Sequence, residues 1–255
     1  YADARGTVMD PLGGRPDLLA RRVRFVGDAD TRIREDYLRI LRFFRFHATY
    51  GDPSGGLDAE GLAACATHID GIAGLSHERI GSEMRKLLAA PDPAPAVAAM
   101  AQAGVLMAVL PGADARALAP LVHLESGLAP RWQRRLAVIG GQDACENLRL
   151  SRAECVTIRH IRDEIGSVKT PAALGWSHGQ PIAEDVILCR AALLEQPLAP
   201  HWQAEISRGT QTSLPLSAAD LMPALQGPAL GAALRRATAR WLASDLRLTK
   251  AQLLV

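Results

Sequence analysis

Apolar residues recur along most of this chain at three- and four-residue intervals, the rhythm of helices that bury one face. Ile33, Tyr37, Ile40 and Phe44 form such a stripe. Asp30 or Thr31 can cap its start, and Gly51, Pro53 and Gly55-Gly56 close its end, so the spacing predicts one helix over 30–50. Ile80, Met84, Leu87 and Leu88 repeat the pattern behind Ser76 as a cap, with Pro91 as the stop, and the two helices are expected to pack as a pair. Shorter Ala/Leu helices follow, such as 94–103 and 131–139. A capping box, Ser151-Arg152-Ala153-Glu154, opens another that runs to Ile165 and stops at Gly166. Ser217 caps a late segment, and a longer helix is expected over 228–242. Only the N-terminal part has a different rhythm. A turn at Asp3-Ala4-Arg5-Gly6, the run Thr7-Val8-Met9, a turn at Asp10-Pro11-Leu12-Gly13-Gly14 and the run Val23-Arg24-Phe25-Val26 read as the last strands of a sheet whose other members lie upstream.

Composition sharpens this picture in a few places. The chain is 48% hydrophobic and only 4% aromatic, with Ala and Leu dominant, which favours helices packed through small aliphatic side chains. The expected fold is mostly α, with a short β segment at the start and divisions at 1–28, 29–92, 93–200 and 201–255. Net charge is +2, so the whole chain does not declare a polyanion partner. Placement says more, because three of the 29 basic residues are Lys and nine Arg fall between Arg15 and Arg45. Arg presents a planar fork of donors suited to phosphates and base edges. Cys65, Cys145, Cys155 and Cys189 make no C-x-x-C pair and are expected to be reduced, mostly buried thiols. No run of about 18 apolar residues occurs, and a cytoplasmic setting is expected. The histidines show no metal-ligand spacing.

The richest segment is Arg32-Ile33-Arg34-Glu35-Asp36-Tyr37-Leu38-Arg39-Ile40-Leu41-Arg42-Phe43-Phe44-Arg45-Phe46. At about 100° per residue, Arg32, Asp36 and Arg39 share one narrow arc of a helix, bordered by Glu35 and Arg42. A ladder of solvent-facing ion pairs is the plain explanation of such an arc. A sharper one follows from donor geometry. A fixed carboxylate accepts from N4 of cytosine or N6 of adenine while a neighbouring guanidinium donates to the adjacent ring nitrogen, imitating a Watson–Crick edge. Guanine and uracil would oppose like groups, at a cost on the order of 1 to 3 kcal/mol for each mismatch.

Arg24-Phe25-Val26-Gly27-Asp28, then Arg32 and Glu35-Asp36-Tyr37-Leu38-Arg39, resembles the R-x-x-G-D-P-x-x-R-x-x-E-D-x-x-R pattern of the class II CCA-adding enzyme family (tRNA nucleotidyltransferases and poly(A) polymerases), with Ala29 in place of the Pro. Asp10-Pro11-Leu12-Gly13-Gly14 with Asp17-Leu18 resembles the family's D-P-x-G-G-x-x-D-L segment, and Ser76-His77-Glu78-Arg79-Ile80 with Glu83, Lys86 and Leu87 its S-x-E-R-I-x-x-E-x-x-K-L helix. Leu216-Ser217-Ala218-Ala219-Asp220-Leu221-Met222 with Gly227-Pro228 is similar to the tail of bacterial members. The resemblance implies a helical neck, body and tail that work with a nucleotidyltransferase head. It further implies that Asp36 and Arg39 template the incoming base, that Arg42 and Arg45 border the nucleotide, and that Arg32 and Glu35 orient the pair. The substrates it implies are tRNA, CTP and ATP.

In that family a G-S element and a D-x-D pair on the head hold Mg2+, and neither is found here in that setting. Asp28-Ala29-Asp30 has the letters, but its place before a helix marks it as turn and cap chemistry. The expectation is therefore a chain without its catalytic head, inactive alone and carrying no metal ligands. Bacterial poly(A) polymerase is a rival within the family, disfavoured by Tyr37 after Glu35-Asp36 and by Glu78-Arg79-Ile80; CC-adding and A-adding enzymes stay open, as does a non-catalytic helical RNA-binding module. Arg235, Arg236, Arg240, Arg247 and Lys250 offer either a tRNA-holding surface or ordinary surface charge.

Overall fold

The computed structural model describes residues 2–254 and is built almost wholly of helices. By packing, the chain divides into two compact units, one ending at Val156 and the other beginning at Thr157. The first holds α1 (Gly14–Leu19), α2 (Ala29–Glu35), α3 (Leu38–Tyr50), α4 (Ala59–Thr67), α5 (His77–Leu88), α6 (Ala94–Gln102), α7 (Val105–Val109), α8 (Leu118–Leu124), α9 (Trp132–Ile139) and α10 (Ala144–Asn147). The division falls within α11 (Arg152–Ile165). Beyond it come α12 (Pro171–His178), α13 (Gln180–Leu193), α14 (Trp202–Gln211), α15 (Gly227–Ala243) and α16 (Lys250–Leu254).

In the first unit α3 packs against α5 and α6. Leu38, Ile40, Leu41, Phe43 and Phe44 bury one side of α3, and Ile80, Met84, Leu87 and Leu88 bury the facing side of α5, so the paired helices read from the periodicity are present. Ser76 caps α5 through the Arg79 amide at 3.4 Å. The single helix over 30–50 is not. It breaks at Asp36, whose backbone is extended (φ −159°, ψ 105°). There the Asp36 carboxylate accepts from the Leu38 amide at 3.1 Å and starts a new helix, the local competition by which short acidic side chains interrupt helices. Tyr37 leaves the apolar stripe to lie against Gly71, where a Cβ would overlap its ring. The cap of α2 is Asp28, accepting from the Thr31 amide at 2.8 Å, in place of Asp30 or Thr31.

Among the described residues the N-terminal β-favouring runs form one isolated antiparallel bridge, Ala2 to Val8, and residues 23–26 form no strand. Asp10 instead caps the short helix α1, accepting from the amides of Gly14 at 2.9 Å and Arg15 at 2.7 Å. The cysteine expectation also changes. Cys145 and Cys155 form a disulfide with their Cα atoms 5.8 Å apart, because the chain between α10 and α11 doubles back and brings residues ten apart into bonding range. Cys65 is a buried thiol, its pKa pushed up to about 12 by burial.

A buried ion cluster fixes the far end of α5. Glu125 accepts from Arg134 at 2.6 Å and from Arg135 at 2.9 Å, and Arg135 also donates to the carbonyls of Leu88, the last residue of α5, and Ala90, just past it. Carbonyls left over at a helix terminus need such donors. In the second unit α12 and α14 touch backbone to backbone, since a Cβ at Gly175 or Gly209 would collide with the opposite chain. Ala172, Leu216, Ala237 and Trp241 form its core, with Trp176 set edge-on to Trp241 at 5.4 Å.

Candidate functional site

The break between α2 and α3 organises the site. Glu35, the last residue of α2, accepts from Arg32 Nη1 at 2.7 Å and from Arg39 Nη1 at 2.6 Å, so one carboxylate holds two guanidiniums across the break. Arg39 Nη1 also donates to the Arg32 carbonyl at 2.7 Å. The Arg39 and Arg32 guanidiniums hold the Glu35 carboxyl below its ordinary pKa. Arg32, Glu35 and Arg39 are thus brought together, whereas the arc read from helical spacing joined Arg32 and Arg39 to Asp36.

Asp36 stands apart from them. Its carboxylate is paired with Arg79 from the first turn of α5, Nη2 lying 3.0 Å from Oδ1 and 2.8 Å from Oδ2. Burial pushes the Asp36 carboxyl up, but the Leu38 amide and the Arg79 guanidinium outweigh it and hold the pKa below its ordinary value. The expected partner, Arg39, belongs to Glu35. Arg42 and Arg45 gather around Glu83, a buried carboxylate on α5, at 3.8 and 2.5 Å, and Lys86 approaches it at 3.8 Å. Two features of this arrangement lay outside the sequence reading. Arg79 and Glu83 stood in a quoted motif, but no local signal links them to partners some forty residues away.

Between residues 23–26 and α3 lies a cavity of about 200 Å³. Arg24, Arg32, Arg39 and Arg42 line it with Phe25, Phe43 and Phe46, so it offers guanidinium donors beside flat apolar walls. Phe25 and Phe43 stack at 5.4 Å, 16° from parallel, and brace that wall. On the opposite flank His68 Nε2 and Asp30 Oδ1 are 2.8 Å apart. Within the Asp28-Ala29-Asp30 triplet, Asp28 caps α2 and Asp30 is turned to His68, so the cap expectation holds for Asp28 alone. Among the described residues no cluster of three or more His, Cys, Asp or Glu could hold a metal ion. The late basic residues lie in the second unit, where Arg240 donates to the Gln252 carbonyl at 2.9 Å, Arg247 pairs with Asp245 at 3.3 Å, and Lys250 pairs with Asp220.

This helical scaffold, with an acid/Arg element broken beside a cavity of guanidiniums, has relatives among nucleotidyltransferases of the class II type. A family profile described as "Probable RNA and SrmB- binding site of polymerase A" matches residues 57–116. The chain is 32% identical over 216 residues to a CCA-adding enzyme of Geobacillus kaustophilus, covering 78% of this chain and 52% of that protein. It is 51% identical over 83 residues to the human mitochondrial CCA tRNA nucleotidyltransferase 1, covering 32% of this chain and 19% of that protein. The crystal structure of the Bacillus stearothermophilus CCA-adding enzyme in complex with CTP superposes with a TM-score of 0.70 at 26% identity, over 96% of this chain and 66% of that one. The chain belongs to the class II CCA-adding enzyme family. It spans about half the length of the Geobacillus relative and a fifth of the human one.

Proposed function

We propose that this chain supplies the base-selecting and RNA-holding portion of an enzyme that adds C and A to the 3′ end of tRNA, with CTP and ATP as substrates. The observation that carries this is the cavity lined by Arg24, Arg32, Arg39 and Arg42, in a chain whose relatives are named for CCA addition. In this reading residues 1–28 belong with a nucleotidyltransferase head, 29–92 form the templating neck, 93–200 the body and 201–255 a tail that holds tRNA.

The hydrogen-bond inventory fits base selection. Asp36 Oδ1 accepts from the Leu38 amide and from Arg79, and Oδ2 from Arg79 alone, which leaves a lone pair on Oδ2 for an incoming amino group. Arg39 commits Nη1 to Glu35 and the Arg32 carbonyl, which leaves Nε and Nη2 to address a ring nitrogen. Arg42 and Arg45 supply positive charge for phosphates. Glu35, Arg32 and Arg79 act as positioning residues. Magnesium chemistry in the family steadies phosphoryl transfer, and among the described residues no cluster of three or more His, Cys, Asp or Glu could hold that ion. We further propose that this chain alone binds nucleotides without polymerising them and works in the cytoplasm; among the described residues no helix is long and apolar enough to cross a membrane.

Equilibrium binding of the four nucleoside triphosphates to this chain tests the reading. CTP and ATP should bind about tenfold tighter than UTP and GTP, a margin of the size one mismatched polar contact gives, and Asp36→Asn should erase the margin. Equal affinities for all four, or none, would overturn it. The profile naming polymerase A gives a second reading, poly(A) synthesis, which ATP selected over CTP would favour. Nucleotide incorporation by this chain alone would overturn the claim of inactivity.

A further inference from the structure

Phe46 and Tyr50 are, among the described residues, the two Phe, Tyr or Trp side chains exposed at the surface, at 38% and 57%. They sit one turn apart on α3, with ring centroids 6.0 Å apart, at the end of the face that begins with Arg39 and Arg42. Exposed aromatics in a protein that has so few of them call for an explanation by contact. The Phe46 ring is held from one side. The Arg45 guanidinium carbon lies 4.1 Å from its centroid, and Glu83 pins that guanidinium at 2.5 Å. Arg45 does not line the cavity, whereas Phe46 does, so the ring borders the guanidinium-lined space. The end of α3 is tied down as well, Arg21 Nε donating to the Tyr50 carbonyl at 3.3 Å.

A rigid, half-exposed aromatic pair beside a cluster of guanidiniums is the arrangement that stacks unpaired bases while phosphates meet positive charge. We infer that Phe46, backed by Arg45 and extended by Tyr50, is a stacking platform for an unpaired base of the RNA strand. The inference rests on the function proposed above and adds a residue-level role to it. Geometry assigns the platform to the strand and not to the selected nucleotide. Phe46 and Tyr50 lie about two and three turns along α3 from Arg39, and the platform's continuation through Tyr50, away from the arginine that would read the selected base, assigns it to a second base, that of the strand.

The test is fluorescence anisotropy with this chain and a short labelled single-stranded RNA ending in cytidine, against a strand of equal length in which the terminal nucleotides lack bases. Wild type should bind the base-bearing strand roughly tenfold tighter than the abasic one. Phe46→Leu should remove most of that advantage, Tyr50→Leu part of it, and Phe46→Trp, which restores a ring at the same exposed position, should keep it. Thermal melting of each variant separates loss of the ring from loss of the fold. Identical affinities for the two strands, or for wild type and Phe46→Leu, would overturn the platform and leave nucleotide selection standing. A Phe46→Leu loss equal for free CTP and for RNA would place the ring on the incoming nucleotide, which also overturns it. Failure of wild type to bind any of these ligands would overturn both proposals together.

Discussion

Asp36 shows how a single carboxylate can be legible in sequence while its surroundings are not. Its neighbours Glu35 and Arg39, four residues apart, are a pair that helical spacing anticipates, and they do meet, at 2.6 Å. The partner of Asp36 itself is Arg79, forty-three residues on, and no local rule finds it. The pairing has a measurable signature. The folded pKa of Asp36 is depressed, so the bond to Arg79 stabilises the fold above the ordinary carboxylate pKa and is lost as pH falls through the lowered value. Arg79→Met removes one of the causes of the depression while the Leu38 amide still donates. The Asp36 carboxyl carbon, followed by NMR, should then titrate at a higher pH than in wild type, and CTP should bind several-fold more weakly at neutral pH. An unchanged titration would mean that Arg79 and Asp36 do not hold each other in solution.

At the scale of elements, the apolar stripes of α3 and α5 announce a packed pair, and the caps at Ser76 and Ser151 mark helix starts. The break at Asp36 escaped the periodicity because the apolar count treats Tyr37 as core, whereas its ring lies against Gly71. Charged residues in the core escaped it too. Arg134 and Arg135 read as an ordinary polar stretch of α9, yet both are 1% exposed and share Glu125. The consequence concerns the site, since Arg135 closes the end of α5, the helix that carries Arg79 and Glu83. Arg135→Met leaves the Leu88 and Ala90 carbonyls without that donor and Glu125 with one guanidinium fewer. It should destabilise the protein by about 3 to 5 kcal/mol in urea unfolding. Arg116→Ala, which removes an ion pair at the surface, should leave the midpoint unchanged. Equal effects of the two substitutions would show that the buried cluster is not what anchors α5.

For the whole molecule, a net charge of +2 conceals a local excess. Along α2, α3 and α5, Arg32, Arg39, Arg42, Arg45 and Lys86 share Glu35 and Glu83, five cations against two carboxylates, a net of three positive charges. Composition averages this away, and helical spacing recovers the arginines without the buried Glu83 that partly offsets them. Counterion release turns the local balance into a number. Three neutralised phosphates on a single strand give a slope of log affinity against log salt near −2, at about −0.7 for each contact. Arg42→Gln should flatten that slope by about 0.7 and weaken binding most at low salt. Arg236→Gln, on α15 in the other unit, should leave the slope of a short strand unchanged if that strand lies along α3. The reverse pattern, a slope sensitive to Arg236 and indifferent to Arg42, would move RNA contact to the second unit and leave the cavity arginines to the nucleotide alone.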